Sequence, residues 1–122
     1  MPLEYKIHHA ENYVAIRAWG DVSPTDWQAL IRSLFADKGV YGGRNFLIDV
    51  AEQRSVISTD LVWAIIDKVP NNKTRSRWAI VVSRAVSVGV ANMFSSLLDG
   101  KNIAVQPFED RAKAMQWLAG PA

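Results

Sequence analysis

The sequence predicts an α/β fold: a mixed sheet with an antiparallel N-terminal hairpin and otherwise parallel strands, covered by helices in the order ββαβαβαβα. Three observations carry this expectation. Short runs that are apolar on both faces recur at Asn45–Val50, Trp78–Ser83 and Asn102–Phe108. Amphipathic helical stripes lie between and after these runs. Strands of that kind need cover on both faces, and helices are their usual cover. An alternating opening segment supplies the hairpin.

The elements follow in order. Leu3, Tyr5 and Ile7 alternate with Glu4, Lys6 and His8, the period of a half-buried strand. Ala10-Glu11-Asn12 is a turn, after which Val14, Ile16 and Ala18 alternate with Ala15, Arg17 and Trp19, giving the second arm. Gly20-Asp21-Val22 breaks that strand. Ser23-Pro24-Thr25-Asp26 then starts a helix: Ser at the N-cap, Pro at the first helical position, Asp in the first turn. Its core stripe is Trp27, Leu30, Ile31, Leu34 and Phe35, and Gly39 with Gly42-Gly43 ends it. Strand Asn45–Val50 leads into a polar loop, Ala51–Ile57. Ser58 caps a second helix with the stripe Leu61, Val62, Ile65, Ile66 and Val69, stopped by Pro70-Asn71-Asn72. The third helix turns Val86, Val90, Met93, Phe94, Leu97 and Leu98 inward and Asn92, Ser95 and Ser96 outward, with Gly100 as its C-terminal cap. A final helix runs from about Glu109 to Leu118, with Ala114, Met115, Trp117 and Leu118 inside.

The chain of 122 residues is expected to be a single domain over 1–122. At this size folding buries roughly two thirds of the unfolded surface, so a core forms without staples. The sequence has no cysteine, which excludes disulfides, thiolate zinc sites and a cysteine nucleophile. Fourteen basic and twelve acidic residues leave a net charge of +2, which demands no polyanionic partner. No apolar run approaches the roughly 20 residues that span a bilayer. A cytoplasmic location without a membrane span is the expectation.

Two local patterns go further. Asp49 closes a strand, and Ser58, followed by Thr59, opens a helix nine residues on. The C-terminal half ends in Ala114, Trp117 and Leu118 at Ala-x-x-Trp-Leu spacing. With the element order, these resemble the STAS-like domains, the SpoIIAA-like fold of anti-sigma-factor antagonists, and within them a divergent, largely uncharacterised branch. The resemblance implies a regulatory module that meets partners around the second helix. In the switch members a Ser at the Ser58 position accepts phosphate from a partner kinase. This chain departs from that pattern: Ile57 stands where those proteins have Asp, and Asp60 where they have Gly. Asp60 one turn from Ser58 would repel a phosphate dianion, and Ser58 also reads simply as a helix cap.

Other chemistry finds little support. His8 and His9 are adjacent on a strand and point to opposite faces, so they cannot chelate one ion together. No metal site and no cofactor is expected. Gly39–Gly43 (GVYGG) follows a helix and lacks the P-loop lysine. Asp49 and Glu52 flank the end of a strand, where α/β proteins bind ligands, but neither a nucleophile nor an oxyanion motif accompanies them, so no catalytic residue is assigned. Lys68, Lys73, Arg75, Arg77 and Arg84 form a local basic excess that reads as a solvated patch, and no reader motif argues for nucleic acid.

Tryptophan is more informative. Trp63, one of five tryptophans, is turned more than roughly 90° from the centre of its helix stripe. An off-stripe indole marks an interface or a boundary contact. Asp49, Ser58, Thr59, Asp60 and Trp63 are the candidate interaction surface. Val90, Met93, Phe94 and Leu97 form an adaptable apolar face on the third helix, and the resemblance extends to lipid-carrier domains that hold apolar molecules beneath such a helix. The leading expectation is a non-enzymatic cytoplasmic regulatory or protein-interaction module with an unidentified protein partner, able to form a homodimer. The alternatives are a small apolar-ligand or lipid-binding protein and an anti-sigma-factor antagonist phosphorylated on Ser58.

Overall fold

The structure, a computed structural model, describes residues 2–37, 40, 44–55, 57–71 and 74–120. Five strands form one sheet in sequential order: β1 (Leu3–His8), β2 (Tyr13–Gly20), β3 (Asn45–Gln53), β4 (Ser76–Val81) and β5 (Ile103–Phe108). β1 pairs antiparallel with β2, and every later pairing is parallel. The helices are α1 (Pro24–Ala36), α2 (Thr59–Lys68), α3 (Ala85–Leu98) and α4 (Arg111–Ala119).

Local chemistry sets most of the boundaries. In the hairpin turn Asn12 takes a positive φ of 59°, which Asn tolerates better than most residues. Gly20 ends β2 at φ 63°. α1 opens on a capping box: the Asp26 N–H donates to Ser23 Oγ, and the Ser23 N–H donates back to the Asp26 carboxylate. At α2 the Leu61 N–H donates to Ser58 Oγ at 3.2 Å. Its other end is closed from a distance: Lys101 Nζ donates to the carbonyls of Ile66 and Val69, each at 2.6 Å. A cation there meets both the orphan carbonyls and the negative end of the helix dipole.

Successive strand residues point to opposite faces, and the two faces carry different cores. Val14, Ile16, Phe46, Trp78, Ile80 and Ile103 face α1, α2 and α3 in the larger cluster. Leu47, Ala79 and Val81 face Ala114 and Leu118 of α4 in the smaller one. Three helices therefore cover one face and α4 covers the other over β3, β4 and β5, as doubly apolar strands require.

The sequence reading is corrected at β3, at Gly100 and at Val86. β3 continues to Gln53 where a loop from Ala51 was expected, because an extra residue in β3 between Asp49 and Glu52, a bulge opposite Arg17–Trp19, lets Glu52 and Gln53 pair with Trp19 and Gly20. Gly100 is not a left-handed cap; it lies in a 3-10 turn, Asp99–Lys101, and the left-handed residue is Asn102 at φ 65°. Val86, expected inside, is 48% exposed. The buried side of α3 is centred on Ala91, Phe94 and Leu98, about 100° around the helix from Val86. The glycines Gly39, Gly42 and Gly43 lie outside the described residues.

Candidate functional site

The larger core is not filled. A cavity of about 60 Å³ lies between the sheet and the three helices, space for roughly four to six water-sized groups. Phe46 and Ile48 of β3 and Trp78 and Ile80 of β4 form its floor; Trp27 and Ile31 of α1, Ile65 of α2, and Ala91 and Phe94 of α3 form its sides. These side chains fall at the cavity because each belongs to the inward stripe of its helix or to the same face of the sheet. The half-buried wall residues Val50, Ser55, Ile57, Ser87 and Val90 come from the end of β3, the segment leading into α2, and the start of α3. The cavity thus meets the surface at the C-terminal end of a parallel strand, the usual ligand position in open α/β sheets.

Its polar wall groups are few. Gln53 is buried, and its Nε2 donates to Ser55 Oγ at 3.2 Å. Ser55 Oγ also receives the Val22 N–H at 2.9 Å and donates to the Val22 carbonyl at 3.2 Å. The wall contains no ionisable side chain among the described residues. Two donors of the wall are unmet: neither Trp27 Nε1 nor Trp78 Nε1 has an acceptor among the described residues.

The candidate apolar face divides. Val90 and Phe94 line the cavity, whereas Met93 and Leu97 pack on the core beside it, turned roughly 70–110° from the wall-forming side of α3. Ser87 and Ala91, too small to stand out in an apolar stripe, complete the wall instead. Ile57, at the position where the switch proteins carry Asp, is half-buried in the cavity rim.

The candidate interaction residues divide as well. Ser58, Thr59, Asp60 and Trp63 are exposed at the start of α2, Trp63 to 54%. Asp49 does not join them. It shares the α4 side of β3 with Leu47, and its carboxylate accepts from Arg111 Nη1 at 3.0 Å and from the Ala51 N–H at 3.1 Å. The sheet separates it from α2. Glu52 pairs with Arg17 at 3.4 Å, and that guanidinium also lies over the Trp19 ring. Asp49 and Glu52 are therefore held by separate arginines rather than as an acid–base pair.

The basic residues do not form a common solvated patch. Arg75 pairs with Asp99 at 3.0 Å. Arg77 is in β4, not a loop; its guanidinium stacks over Trp117 and donates to the Trp117 and Gly120 carbonyls. Arg84 donates to the Gln53 and Arg54 carbonyls, each at 3.0 Å. Lys68 is exposed in the last turn of α2, and Lys73 lies outside the described residues. His8 stacks on Tyr13 with ring centroids 4.4 Å apart. Among the described residues no helix is long and apolar enough to cross a membrane.

This arrangement of a sequential mixed sheet, three helices on one face and one on the other, has a counterpart among solved structures. The chain is similar to the crystal structure of an uncharacterized protein of the DUF3478 family with a SpoIIAA-like fold from Shewanella loihica PV-4, with a TM-score of 0.65 and 19% identity over 95% of this chain and 91% of that one. No protein-family model and no curated protein matches the sequence. The fold is thus SpoIIAA-like. In this chain that fold encloses an apolar cavity.

Proposed function

We propose that this chain is a non-enzymatic regulatory module that binds a small, largely apolar molecule in the cavity beneath α1, α2 and α3. The observation that carries this reading is the cavity: concave, walled by aliphatic and aromatic groups, furnished with few polar atoms, and opening at the end of a parallel strand. These are the general marks of a small-molecule site. Binding rather than catalysis fits the separate arginine partners of Asp49 and Glu52. α2 connects the ligand to a surface, because Ile65 lines the cavity while Trp63 on the same helix faces solvent. A ligand that displaces α2 changes what Trp63 presents to a partner. A cytoplasmic setting suits a chain without cysteine.

Native mass spectrometry of the full chain, after incubation with an organic extract of cells, tests the reading. It predicts a non-covalently bound small molecule that is lost when Ala91→Leu fills the wall. A spectrum showing only the bare chain, with no rise in melting temperature from any apolar compound that fits the cavity, contradicts it.

The exposure of Trp63 favours a second reading, in which the start of α2 docks a protein partner or a second copy of the chain. An exposed indole gains from burial at an interface. Here Ser58 acts as a helix cap, and the antagonist role through phosphorylation at Ser58 has Asp60 against it.

A further inference from the structure

We propose that the cavity's ligand is a neutral molecule carrying a hydrogen-bond acceptor, a carbonyl or ether oxygen on an otherwise apolar skeleton, held by the indole N–H groups of Trp27 and Trp78. This rests on the ligand-binding reading of the cavity and specifies its chemistry.

Trp27 comes from α1 and Trp78 from β4; they are 3% and 4% exposed. Trp19, Trp63 and Trp117 all reach the surface. The two fully buried tryptophans are therefore the two that form cavity wall, and the two whose Nε1 is out of solvent without an acceptor among the described residues. An indole N–H can only donate, and a buried one ordinarily finds a partner. The polar wall groups do not serve: Ser55 is tied to Gln53 and Val22, and neither Gln53 nor Ser87 accepts from either indole. Phenylalanine at either position would fill similar space with no donor left unmet. The acceptor comes from what enters the cavity.

Charge fixes the rest. No wall residue is ionisable among the described residues. A carboxylate would enter without a counter-ion, and burying an unpaired charge is far costlier than burying a neutral oxygen. A ketone, ester or ether meets both conditions; a fatty-acid head group does not.

Three probes of matched shape and four heavy atoms each, small enough for the cavity, separate the alternatives: acetone, isobutene and acetate, titrated into the full chain at neutral pH. Binding is followed by NMR of the indole ¹H–¹⁵N signals, with Trp27 and Trp78 assigned from their Phe variants or, should those not fold, from through-space contacts. A ketone without a donor in the cavity should bind about thirtyfold or more weaker than the alkene, since its oxygen loses water. The expected result is ketone affinity equal to or above that of the alkene, a downfield shift of the Trp27 or Trp78 indole proton with the ketone only, and carboxylate binding at least a hundredfold weaker. Trp78→Phe or Trp27→Phe should lower the ketone-to-alkene affinity ratio about tenfold, the net worth of one neutral hydrogen bond. Tight alkene binding with a weak ketone and unmoved indole protons overturns the acceptor while leaving the cavity reading intact. Carboxylate binding tighter than the ketone overturns the neutral ligand. Failure of all three probes to bind overturns this proposal and the cavity reading together.

Discussion

Phe46 and Trp78 face each other across the β3–β4 pair as partners in register, with ring centroids 4.9 Å apart. Both rings line the cavity, so the floor of the proposed site is also part of the main core. The two roles respond differently to substitution. Phe46→Ala removes floor that already borders open space and should cost about 3–5 kcal/mol, read from urea unfolding. Ala91→Leu, which elsewhere in a filled core costs about 1–3 kcal/mol through overpacking, should here change stability by less than about 1 kcal/mol, because the added carbons enter the cavity.

Lys101 holds the C-terminal end of α2 through two carbonyls. Lys101→Met keeps the aliphatic stem and removes the donors. The expected loss is about 1.5–3 kcal/mol, the usual range for a hydrogen bond to a charged group. Urea denaturation measures it, and faster amide exchange at Val69, whose N–H donates to the Ile66 carbonyl that Lys101 holds, marks where it acts.

Tyr5 ties the outer strand to the end of α1 by donating its hydroxyl to Asp37 Oδ2 at 2.8 Å. That hydrogen bond, with burial and the nearby negative charge, raises the phenol above its ordinary value of 10.0. A group whose folded value is raised contributes stability that is fully present below the unfolded value and is lost as pH climbs through the folded one. The contribution from Tyr5 should therefore be constant from pH 7 to about 9 and fall above about 10. Thermal unfolding between pH 8 and 11 should show a steeper alkaline decline for the wild type than for Tyr5→Phe.

The start of α2 separates stability from recognition. Ser58→Ala removes the cap on Leu61 and should cost about 1 kcal/mol. Ser58→Asp keeps an acceptor at the N-cap and should restore most of it. Trp63→Ala removes a side chain that is mostly in solvent and should alter stability by less than about 0.5 kcal/mol. If the start of α2 is a docking surface, Trp63→Ala also weakens self-association in analytical ultracentrifugation; a large drop in melting temperature would instead make Trp63 a core residue.

Much of the fold was legible because periodicity is a local property. The stripes of α1 and α2 and the exposure of Trp63 follow from residue spacing on a helix, and the caps at Ser23 and Ser58 from residue type. The extent of β3 was not legible, since its last residues are held by β2, a neighbour in space, beyond a register shift. Val86 was misplaced because a large apolar residue attracts a core assignment, whereas the small residues Ser87 and Ala91, which do face inward, attract none. The cavity itself is a shortfall of volume summed over six elements and the segment before α2, and no stretch of sequence records it. Val90 and Phe94 pointed toward it. Trp27 and Trp78 read as ordinary core, and their unmet N–H groups emerge only when everything around them is placed. The separation of Asp49 from Ser58, two residues that the sequence pattern links, depends on which face of β3 turns toward α4.

The central claim is an apolar cavity between the sheet and α1, α2 and α3 that accepts a guest. Xenon enters such cavities and scatters strongly, so a crystal held under xenon pressure tests it most directly. The account predicts xenon density bounded by Phe46, Ile65, Trp78 and Phe94. Density found only at the surface, with those four side chains in mutual contact, would contradict it.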